Sequence, residues 1–471
     1  MKTYEDLLEI GEDEKARQDF VLSVINDHKN SKMYQNAKIA YEYYCRRNIT
    51  INEYRKFLYT LKGEAVPDNF SANFKFSNSF YPIFVKQEVS HLLGNGVTFN
   101  NDDTKDRLGG DRFDIQLIKA GKSARWGGVS FGFFNLDHID VFDILEFVPL
   151  MGEEDGGIHA GVRFWQIDNT KPLRGTLYEL DGYTEYMWKD GECTTLHEKT
   201  AYINIVRTSE ADGSEIIDGQ NYPGFPIVPL WGNEEHQSSF VGLRDKIDGY
   251  DLIESGFAND LDDASQIYWT ITNAGGMDDI DLAKFIERLR TVHATTVDDV
   301  MGGSSIEAHT VDVPYNARQV LLGELRDGLY RDAMALDTDK ISAGQITATA
   351  INAAYEHLSL KCDDFETNVV EFIYGLLELV GIQDSPTFTR SKIVNMNEDT
   401  QMVLSAAQYL DDETILKHLP FLNPDERHTI LDKLVKEEAK RYEMEEENAG
   451  SDSESGQGET ETNISAEADN I

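Results

Sequence analysis

The sequence is poor in cysteine and in basic residues, and each shortage excludes a class of protein. Its three cysteines, Cys45, Cys193 and Cys362, are far apart in a chain of 471 residues and form no CxxC pair. They indicate neither a disulfide framework nor a zinc site. Only 43 basic residues stand against 85 acidic ones, which gives a net charge of −42. So acidic a chain gains little from the counterion release that drives ordinary nucleic-acid binding, and it should avoid anionic membrane surfaces.

Long apolar runs are also missing. No run approaches the ~18 residues of a membrane span. The N-terminal segment MKTYEDLLEIGEDEKARQDF lacks the apolar core of a signal peptide. We therefore expect a soluble protein that is made in a reducing, cytoplasmic compartment. With 40% apolar and 10% aromatic residues, most of the chain can fold, and its length suits two to four domains.

Motifs that would indicate catalysis are absent as well. The nearest approach to a phosphate-binding loop is AGKS at 120–123, but Gln116 stands where that loop needs its first glycine. LGNGVTF at 93–99 has two glycines without the third of a dinucleotide fingerprint, so we interpret it as a helix stop. The eleven histidines form no HExxH motif. The sequence therefore predicts no enzyme, no cofactor and no metal.

Two acidic clusters leave one alternative open. They are Asp260, Asp262 and Asp263 on a predicted helix, and Asp278, Asp279 and Asp281 at the start of a shorter one. Carboxylates so close together could hold Mg²⁺ for phosphodiester chemistry. However, only positions 260 and 263 share a helix face, and carboxylates at a helix start favour the helix dipole. We interpret both clusters as solvated surface, with a metal-dependent nucleic-acid-processing enzyme as the alternative.

The first half of the chain indicates helices followed by a β region. Residues 1 to about 65 and residues 73–93 are expected to be helical, and Gly94 and Gly96 end the second stretch. Residues 110–232 alternate short apolar runs with turn clusters such as GEEDGG and KDGE, which is typical of antiparallel sheet. The expected strands are Val129–Phe134, Ile144–Val148, Gly161–Ile167, Leu177–Leu180 and Tyr202–Val206.

The second half indicates helices around a small α/β insert. Ser239 is the predicted N-cap of a helix that runs to about Gln266. A second helix is predicted at 318–333. The insert between them is expected to contain strands at Tyr268–Thr272 and Ile306–Val313 and a helix near 282–289.

The clearest periodicity predicts one helix of unusual length, from 343 to 380. Its apolar positions follow steps of four and three: Ile351, Tyr355, Leu358, Cys362, Phe365, Val369, Phe372 and Leu376. Such a helix would be roughly 55 Å long at ~1.5 Å per residue, so its stripe needs a long partner in the same chain or in another copy. A shorter helical region is expected at 399–441. Residues 442–471 hold ten acidic residues and no Lys or Arg, so we expect this tail to be disordered.

The order of these elements resembles the siphophage family of portal, or head–tail connector, proteins. Four blocks carry the resemblance: NFKFSNSFYPIFVKQEVSHLLGNGVTF, NYPGFPIVPLWGNEEHQSSFVGLRDKIDGYDLIESGFANDLDD, DVPYNARQVLLGELRDGLYRDA and SAGQITATAINAAYEHLSLKCDDFE. In the second block, Ile247, Asp248 and Tyr250 match the family's Ile-Asp-x-Tyr helix core. The similarity spans about residues 35–440 and rests on the joint order of the blocks. One departure is SAGQ at 342–345, where the family often has Ser-Gly-x-Ala.

The resemblance implies an α+β portal fold with an α/β wing, a two-helix stem, a small α/β clip, a helical crown and the disordered acidic tail. The implied regions are the wing at 1–238, the stem helices at 239–266 and 318–333, the clip at 267–317, the tunnel loop at 334–342, a long wing helix and connection at 343–395, the crown at 396–441 and the tail at 442–471.

The implied tunnel loop projects into the channel, nearest the DNA. It consists of Met334, Ala335, Leu336, Asp337, Thr338, Asp339, Lys340, Ile341 and Ser342. Lys340 is its one cation, so we predict a transient phosphate contact for its side chain. The alternative is that Lys340 pairs with Asp337 or Asp339.

The resemblance also implies an assembly and its partners. It implies a ring, usually of twelve copies, at the portal vertex of the virion, assembled in the host cytoplasm. Double-stranded DNA would pass through the ring during packaging and ejection. The implied partners are the terminase large subunit, a head-completion adaptor, the scaffold and the major capsid protein. The resemblance implies no contact with a membrane. A structural capsid protein without a channel is a further alternative.

Overall fold

The computed structural model describes most of the chain as an α+β protein. The described residues are 2–59, 63–68, 73–208, 215–264, 268–272, 284, 305–309, 314–339, 348–391, 396–419 and isolated positions between 427 and 436. The chain divides into two compact units. The first comprises Met1–Thr338 and Tyr355–Ser391, and the second comprises Asp339–Ala354 and Lys392–Ile471. Among the described residues, no helix is long and apolar enough to cross a membrane.

The helices are numbered here in chain order. They are α1 Tyr4–Ile10, α2 Glu14–Asn30, α3 Lys32–Tyr44, α4 Ile49–Glu53, α5 Phe80–Leu93, α6 Asp102–Arg107, α7 Asp111–Gly127, α8 Arg244–Ala264, α9 Tyr315–Asp332, α10 Ala348–Val380, α11 Met396–Ala406 and α12 Asp412–His418. A 3-10 turn, Ala407–Tyr409, separates the last two.

The strands form small antiparallel sheets. They are β1 Phe57–Tyr59, β2 Ala65–Pro67, β3 Val97–Phe99, β4 Val129–Asn135, β5 His138–Asp143, β6 Phe147–Met151, β7 Ile158–Trp165, β8 Leu173–Glu179, β9 Gly182–Lys189, β10 Glu192–Thr200, β11 Ile203–Thr208, β12 Glu215–Gln220, β13 Ile227–Trp231, β14 Tyr268–Thr272, β15 Ser305–His309 and β16 Pro386–Phe388. The largest sheet has the order β10-β9-β8-β7-β6, and a second has the order β13-β4-β5. The remaining strands pair in twos: β1 with β2, β11 with β12, β14 with β15, and β16 with β3.

An apolar core lies between α1, α2 and the five-stranded sheet. Its helical members include Leu7, Phe20, Val21, Val24 and Ile25, and its strand members include Val148, Leu150, Val162, Phe164 and Leu177. The α2 members recur at helical spacing, and the strand members of β7 alternate, so each element turns one apolar face to the other.

The predicted β region is confirmed except at its start, where residues 111–127 form α7. Phe113, Leu117, Ala120 and Ala124 are buried at helical spacing on this helix. Gly128 ends it with a φ of +89°, a left-handed backbone that suits glycine. The prediction failed here because glycine pairs on both sides of residues 111–127 indicated turns, and the amphipathic pattern between them was overlooked.

Two predicted helical stretches are shorter than expected. Instead of continuing the N-terminal helices, Phe57–Tyr59 and Ala65–Pro67 pair as the antiparallel strands β1 and β2. Residues 73–79 have no regular secondary structure, and α5 begins only at Phe80. Gly94 caps α5 and Gly96 follows it with a φ of +76°, so the predicted helix stop is confirmed.

The first long helix of the second half begins later than predicted. Ser239 is not its N-cap, because residues 239–243 are turns and α8 starts at Arg244. Gly242 has a φ of +87°, which breaks the helical backbone at that point. The second helix, α9, spans Tyr315–Asp332 and follows Pro314, close to the predicted 318–333.

The long helix is confirmed over Ala348–Val380, and the stripe finds its partner within the same chain. Its buried members are Tyr355, Leu358, Cys362, Phe365, Val369, Phe372 and Leu376. A side-chain carbon at Gly132 of β4 would lie 2.5 Å from the Phe372 ring, and one at Gly375 would lie 2.7 Å from Val228 of β13. Glycines in strand and helix thus let α10 pack closely on the β13-β4-β5 sheet.

Other predictions are met in part or fall outside the described residues. The strands β14 and β15 pair antiparallel, with Tyr268 opposite His309, as the predicted insert requires. The run Ile144–Val148 straddles the turn between β5 and β6 rather than forming one strand. The helix near 282–289, apart from residue 284, and the tail 442–471 lie outside the described residues. In the second unit, the first part of the helical region predicted at 399–441 consists of two short helices, α11 and α12.

Candidate channel segment and its supports

The predicted tunnel loop, here called the channel segment (334–342), begins directly after α9. The structure describes Met334 to Asp339, whereas Lys340, Ile341 and Ser342 lie outside the described residues. Met334 has a φ of +50°, and the amide of Ala335 donates to the carbonyl of Tyr330 at 2.9 Å. The chain therefore turns sharply away from the axis of α9 at Met334.

Gln87 of α5 holds the segment at Leu336. Its Nε2 donates to the Leu336 carbonyl at 2.9 Å, and its Oε1 accepts from the Leu336 amide at 3.2 Å. One side-chain amide thus satisfies both backbone groups of Leu336, as a neighbouring β-strand would. Leu336 itself is buried. The backbone of Leu336 is therefore fixed to α5.

Asp337 is committed to α9. Its Oδ1 lies 3.1 Å from Nη2 of Arg326, and its side chain is only 8% exposed. Because this carboxylate is buried, breaking the pair should cost more than breaking an exposed surface pair. The alternative that Asp337 pairs with Lys340 stays a prediction, because Lys340 lies outside the described residues.

Three charged side chains, here called the ion cluster (Glu88, Arg125 and Lys361), lie beneath the segment. Glu88 Oε1 is 2.9 Å from Arg125 Nη2, and Glu88 Oε2 is 2.9 Å from Lys361 Nζ. Lys361 also donates to the Ala333 carbonyl at 3.0 Å, and Arg125 donates to the Gly232 carbonyl. The cluster therefore ties α5, α7 and α10 to the last residue before the channel segment.

Burial dominates the electrostatics of this cluster. Removal from water lowers the pKa of Lys361, although the charge of Glu88 opposes that shift. The Glu88 side chain is only 1% exposed. Such a group is tolerated inside a protein because both carboxylate oxygens face cations. The cluster thus depends on all three members being present.

These contacts divide the channel segment. Residues Ala333 to Asp337 are fixed by Lys361, Gln87 and Arg326. Beyond them, the backbone at Thr338 and Asp339 is helical, and both residues are exposed. The described contacts therefore fix the base of the channel segment, from Ala333 to Asp337.

A second set of polar side chains, here called the polar row (Asp248, Asp251, Ser255 and Asn259), follows one face of α8. Its members Asp251, Ser255 and Asn259 bind residues 73–79, here called the strap. Ser255 Oγ accepts from the Phe76 amide at 2.9 Å, and Asn259 Oδ1 accepts from the Phe74 amide at 2.7 Å. These side chains replace the backbone partners that a sheet would supply. The strap is therefore held in place without being part of a helix or strand.

Asp251 is the centre of the polar row. It is fully buried, and its Oδ1 accepts from the Asn78 amide at 3.2 Å and from Asn78 Nδ2 at 2.9 Å. Its Oδ2 accepts from Asn48 Nδ2 at 2.7 Å. Burial raises the pKa of Asp251, and the bonds from Asn78 and Asn48 oppose that shift. Sequence analysis missed the row, although small polar residues in steps of three and four along α8 were a visible signal.

The opposite face of α8 packs on α9. Lys246 pairs with Asp332, and Asp260 pairs with Arg318. Beside the Asp260–Arg318 pair, the rings of Phe257 and Tyr315 lie 5.6 Å apart. The two helices are thus joined at both ends and form an antiparallel pair.

The alternative enzymatic interpretation loses support at these positions. Asp260 is committed to Arg318, and the side chains of Asp263, Asp278, Asp279 and Asp281 lie outside the described residues. Within the described part of the chain, no group of three or more His, Cys, Asp or Glu is placed to hold a metal ion. AGKS lies inside α7, where its amides belong to the helix and cannot cradle a phosphate. Burial raises the pKa of the Cys362 thiol to about 12, so it is not a reactive thiolate.

Comparison with known proteins identifies the family. Residues 135–452 match the family model described as "Phage portal protein, SPP1 Gp6-like". The chain is 24% identical over 461 residues to the portal protein of Bacillus phage SPP1, covering 90% of this chain and 86% of that protein. It is 28% identical over 223 residues to the portal protein of Clostridium phage phiCD119, covering 46% of this chain and 49% of that protein. The chain thus spans about half the length of one of these relatives and most of the other.

Two solved structures of gene transfer agent (GTA) particles are also similar. One is the virion of a native particle, with a TM-score of 0.38 and 11% identity, covering 75% of this chain and 90% of that chain. The other is the neck of a native particle computed with C12 symmetry, with a TM-score of 0.41 and 11% identity, covering 73% and 90%. The family model, by contrast, covers more than half of this chain. The chain therefore belongs to the phage portal proteins of the SPP1 Gp6 type, and it is a subunit of the portal ring at a capsid vertex of the virion.

Proposed function

We propose that twelve copies of this chain surround an axial channel through which double-stranded DNA is packaged and ejected. The observation that carries the proposal is the family match over residues 135–452, which includes the α8–α9 pair, the channel segment and α10. In this proposal the protein is a conduit and a docking platform and carries out no catalysis.

The proposed regions keep the boundaries that the sequence suggested. Residues 1–238 and 343–395 form the wing, 267–317 the clip and 396–441 the crown. The stem consists of residues 239–266 and 318–333, which the pairing of α8 with α9 supports. The proposed channel segment keeps residues 334–342, and the contacts at Ala333, Leu336 and Asp337 support a loop that leaves α9 at Met334.

The charge of the chain suits a conduit. A ring of copies that each carry −42 would repel phosphates, so the duplex would have no deep binding well on the wall. Screening limits that repulsion to about 8–10 Å at physiological salt, which is enough to centre a duplex in a narrow channel. Ten of these acidic residues lie in the tail 442–471, so the argument rests on the stem and the channel segment.

The proposed partners follow from the place of such a ring. The clip would contact the terminase large subunit during packaging and a head-completion adaptor afterwards. The wing would contact the scaffold and the major capsid protein during assembly in the host cytoplasm.

Negative-stain microscopy of the purified chain tests the proposal directly. We expect rings with an axial hole, and mass measurement should give about twelve copies per ring. Solid particles or monomers at high concentration would contradict it and would favour a capsid component without a channel. A Mg²⁺-dependent nuclease activity that disappears in the Asp260→Ala variant would instead support the enzymatic alternative.

Lys340 provides a test of the channel segment. Lys340→Glu places a third acidic group beside Asp337 and Asp339 where we propose the closest approach of DNA, so packaging should slow or stop early. The measurement is the DNA length per particle after packaging. Lys340→Arg is the matched control and should package normally. Unchanged DNA content in the Lys340→Glu particles would remove the proposed phosphate contact.

A further inference from the structure

The strap exposes two aromatic rings next to the polar row. Phe74 is 47% exposed and Phe76 is 42% exposed, and their rings stack with centroids 6.2 Å apart. The backbone that carries them is fixed, since their amides donate to Asn259 and Ser255. Two exposed phenylalanines on a fixed backbone are more typical of a protein–protein interface than of an ordinary surface.

The chain around these rings has the opposite charge to the rest of the protein. Residues 46–75 contain six basic and three acidic residues, whereas the whole chain contains 43 and 85. Arg55 is exposed, and Lys75 lies between the two phenylalanines, where it donates to the Asn52 carbonyl at 2.6 Å. Arg55 and Lys75 thus place two basic side chains in the segment that carries the two rings.

The outward side of α9 has the complementary character. Val320 is 61% exposed, and Glu324 one turn later is also exposed. A side-chain carbon at Gly323 would meet no atom within 4 Å, so the surface around this glycine is open. At 100° per residue, these positions lie on the far side of α9 from Arg318 and Tyr315, which contact α8.

The two faces lie on opposite sides of α8. The positions that hold the strap, 251, 255 and 259, are roughly 180° around the helix from positions 246, 257 and 260, which contact α9. The order across the molecule is therefore strap, α8, α9. Two unlike, complementary faces associate head to tail, and such an interface closes into a ring when the rotation between neighbouring copies divides a full turn evenly.

We propose that the strap face, centred on Phe74 and Phe76, docks on the outward face of α9, centred on Val320 and Glu324, of a second copy of this chain. The occupant is a second copy because the apolar and charged groups of the two faces match. The inference rests on the proposed ring and specifies which surfaces close it.

The test compares variants that each disable one face. Phe74→Ser together with Phe76→Ser removes the aromatic rings but keeps the strap amides. Val320→Arg places a bulky cation opposite the basic strap. Ile167→Ser is the matched control, because Ile167 is 83% exposed and lies in the connection between β7 and β8, outside the strap and α9. Native mass spectrometry across a dilution series measures the concentration at which rings dissociate, and circular dichroism confirms that each variant is folded.

We expect each face variant to raise the dissociation concentration about tenfold or more, while Ile167→Ser behaves as the wild type. Mixing the two face variants should give a 1:1 dimer that grows no further, since each retains the one face that the other lacks. Wild-type stability in both face variants, or no dimer on mixing them, would overturn the inference. Failure of the wild type itself to form rings would instead overturn the proposed function.

Discussion

Two buried polar clusters stabilise the first unit, and they are built in different ways. The ion cluster joins α5, α7 and α10 at one point through Glu88, whose two oxygens face Arg125 and Lys361. The polar row instead runs along α8 and binds the strap through hydrogen bonds to amides and side-chain amides. One cluster is compact and charged, whereas the other is extended and holds a backbone.

The difference determines what is lost when one member is removed. Loss of Glu88 leaves two cations buried without a counter-charge, which is among the most costly changes inside a protein. Loss of one member of the polar row leaves one or two amides without an acceptor, and neighbouring members still hold the strap. We therefore expect the ion cluster to act as a unit and the polar row to weaken step by step.

Glu88→Gln should give the largest effect. It removes the negative charge between Arg125 and Lys361, and we expect the free energy of unfolding to fall by about 3–5 kcal/mol. Urea denaturation of the purified protein measures the change. Glu378→Gln is the matched control, since Glu378 is exposed on α10. A cost in Glu88→Gln no greater than in this control would show that the cluster does not act as a unit.

Asp251→Ala should have the next largest effect. It leaves the amide of Asn78 and the side chains of Asn78 and Asn48 without their shared acceptor, at a cost of about 1–3 kcal/mol. Limited proteolysis near the strap should increase as well, because its central bond is gone. Asn259→Ala, which removes one acceptor at the end of the row, should cost less. Equal costs in the two variants would contradict a row that weakens step by step.

The pH dependence of stability separates the clusters further. Burial raises the pKa of Asp251, so the folded protein keeps a proton on this carboxyl to a higher pH than the unfolded chain does. The free energy of unfolding should therefore fall as the pH rises through that folded pKa. Asp251→Asn removes this dependence, so its cost relative to the wild type should be larger at pH 4 than at pH 7. Denaturation at both pH values checks the sign, and an equal cost at both would contradict it.

The sequence predicted the elements that depend on a single repeating pattern. The stripe from Tyr355 to Leu376 identified α10, and alternating runs identified most strands, because burial of one face imposes a strict period. It failed at residues 73–79, which the sequence analysis joined to the helical spacing of residues 80–93. There the backbone amides donate to Asp251, Ser255 and Asn259, which lie more than 170 residues away in sequence. No local pattern reports such a partner.

The candidate site was predictable in outline only. The order of the four blocks that resemble the portal family predicted its location after α9. The chemistry of the segment itself did not. That Gln87 and Lys361 hold its base could not be seen, since a glutamine and a lysine on helices are usually solvated. Their roles arise because α5 and α10 cross beneath the segment. Tertiary packing, rather than residue type, decides which polar side chains are buried.

Gln87 allows a direct test of the difference between the two clusters. It lies next to Glu88 on α5, but it binds the Leu336 backbone through uncharged hydrogen bonds. Gln87→Ala removes both hydrogen bonds to the Leu336 backbone, which should cost about 1 kcal/mol. We expect this loss to be local, since Lys361 and Arg326 still hold Ala333 and Asp337. Hydrogen exchange should therefore quicken in peptides that contain Leu336 and remain unchanged in α7.

Gln87→Glu separates the two bonds, because it keeps an acceptor for the Leu336 amide and loses the donor to its carbonyl. It should fall between the wild type and Gln87→Ala in the exchange rate of Leu336. If Gln87→Ala also quickened exchange in α7, the neutral bond would be coupled to the ion cluster one residue away. The base of the channel segment and the core beneath it would then open together, and the distinction between the two kinds of cluster would fail at this helix.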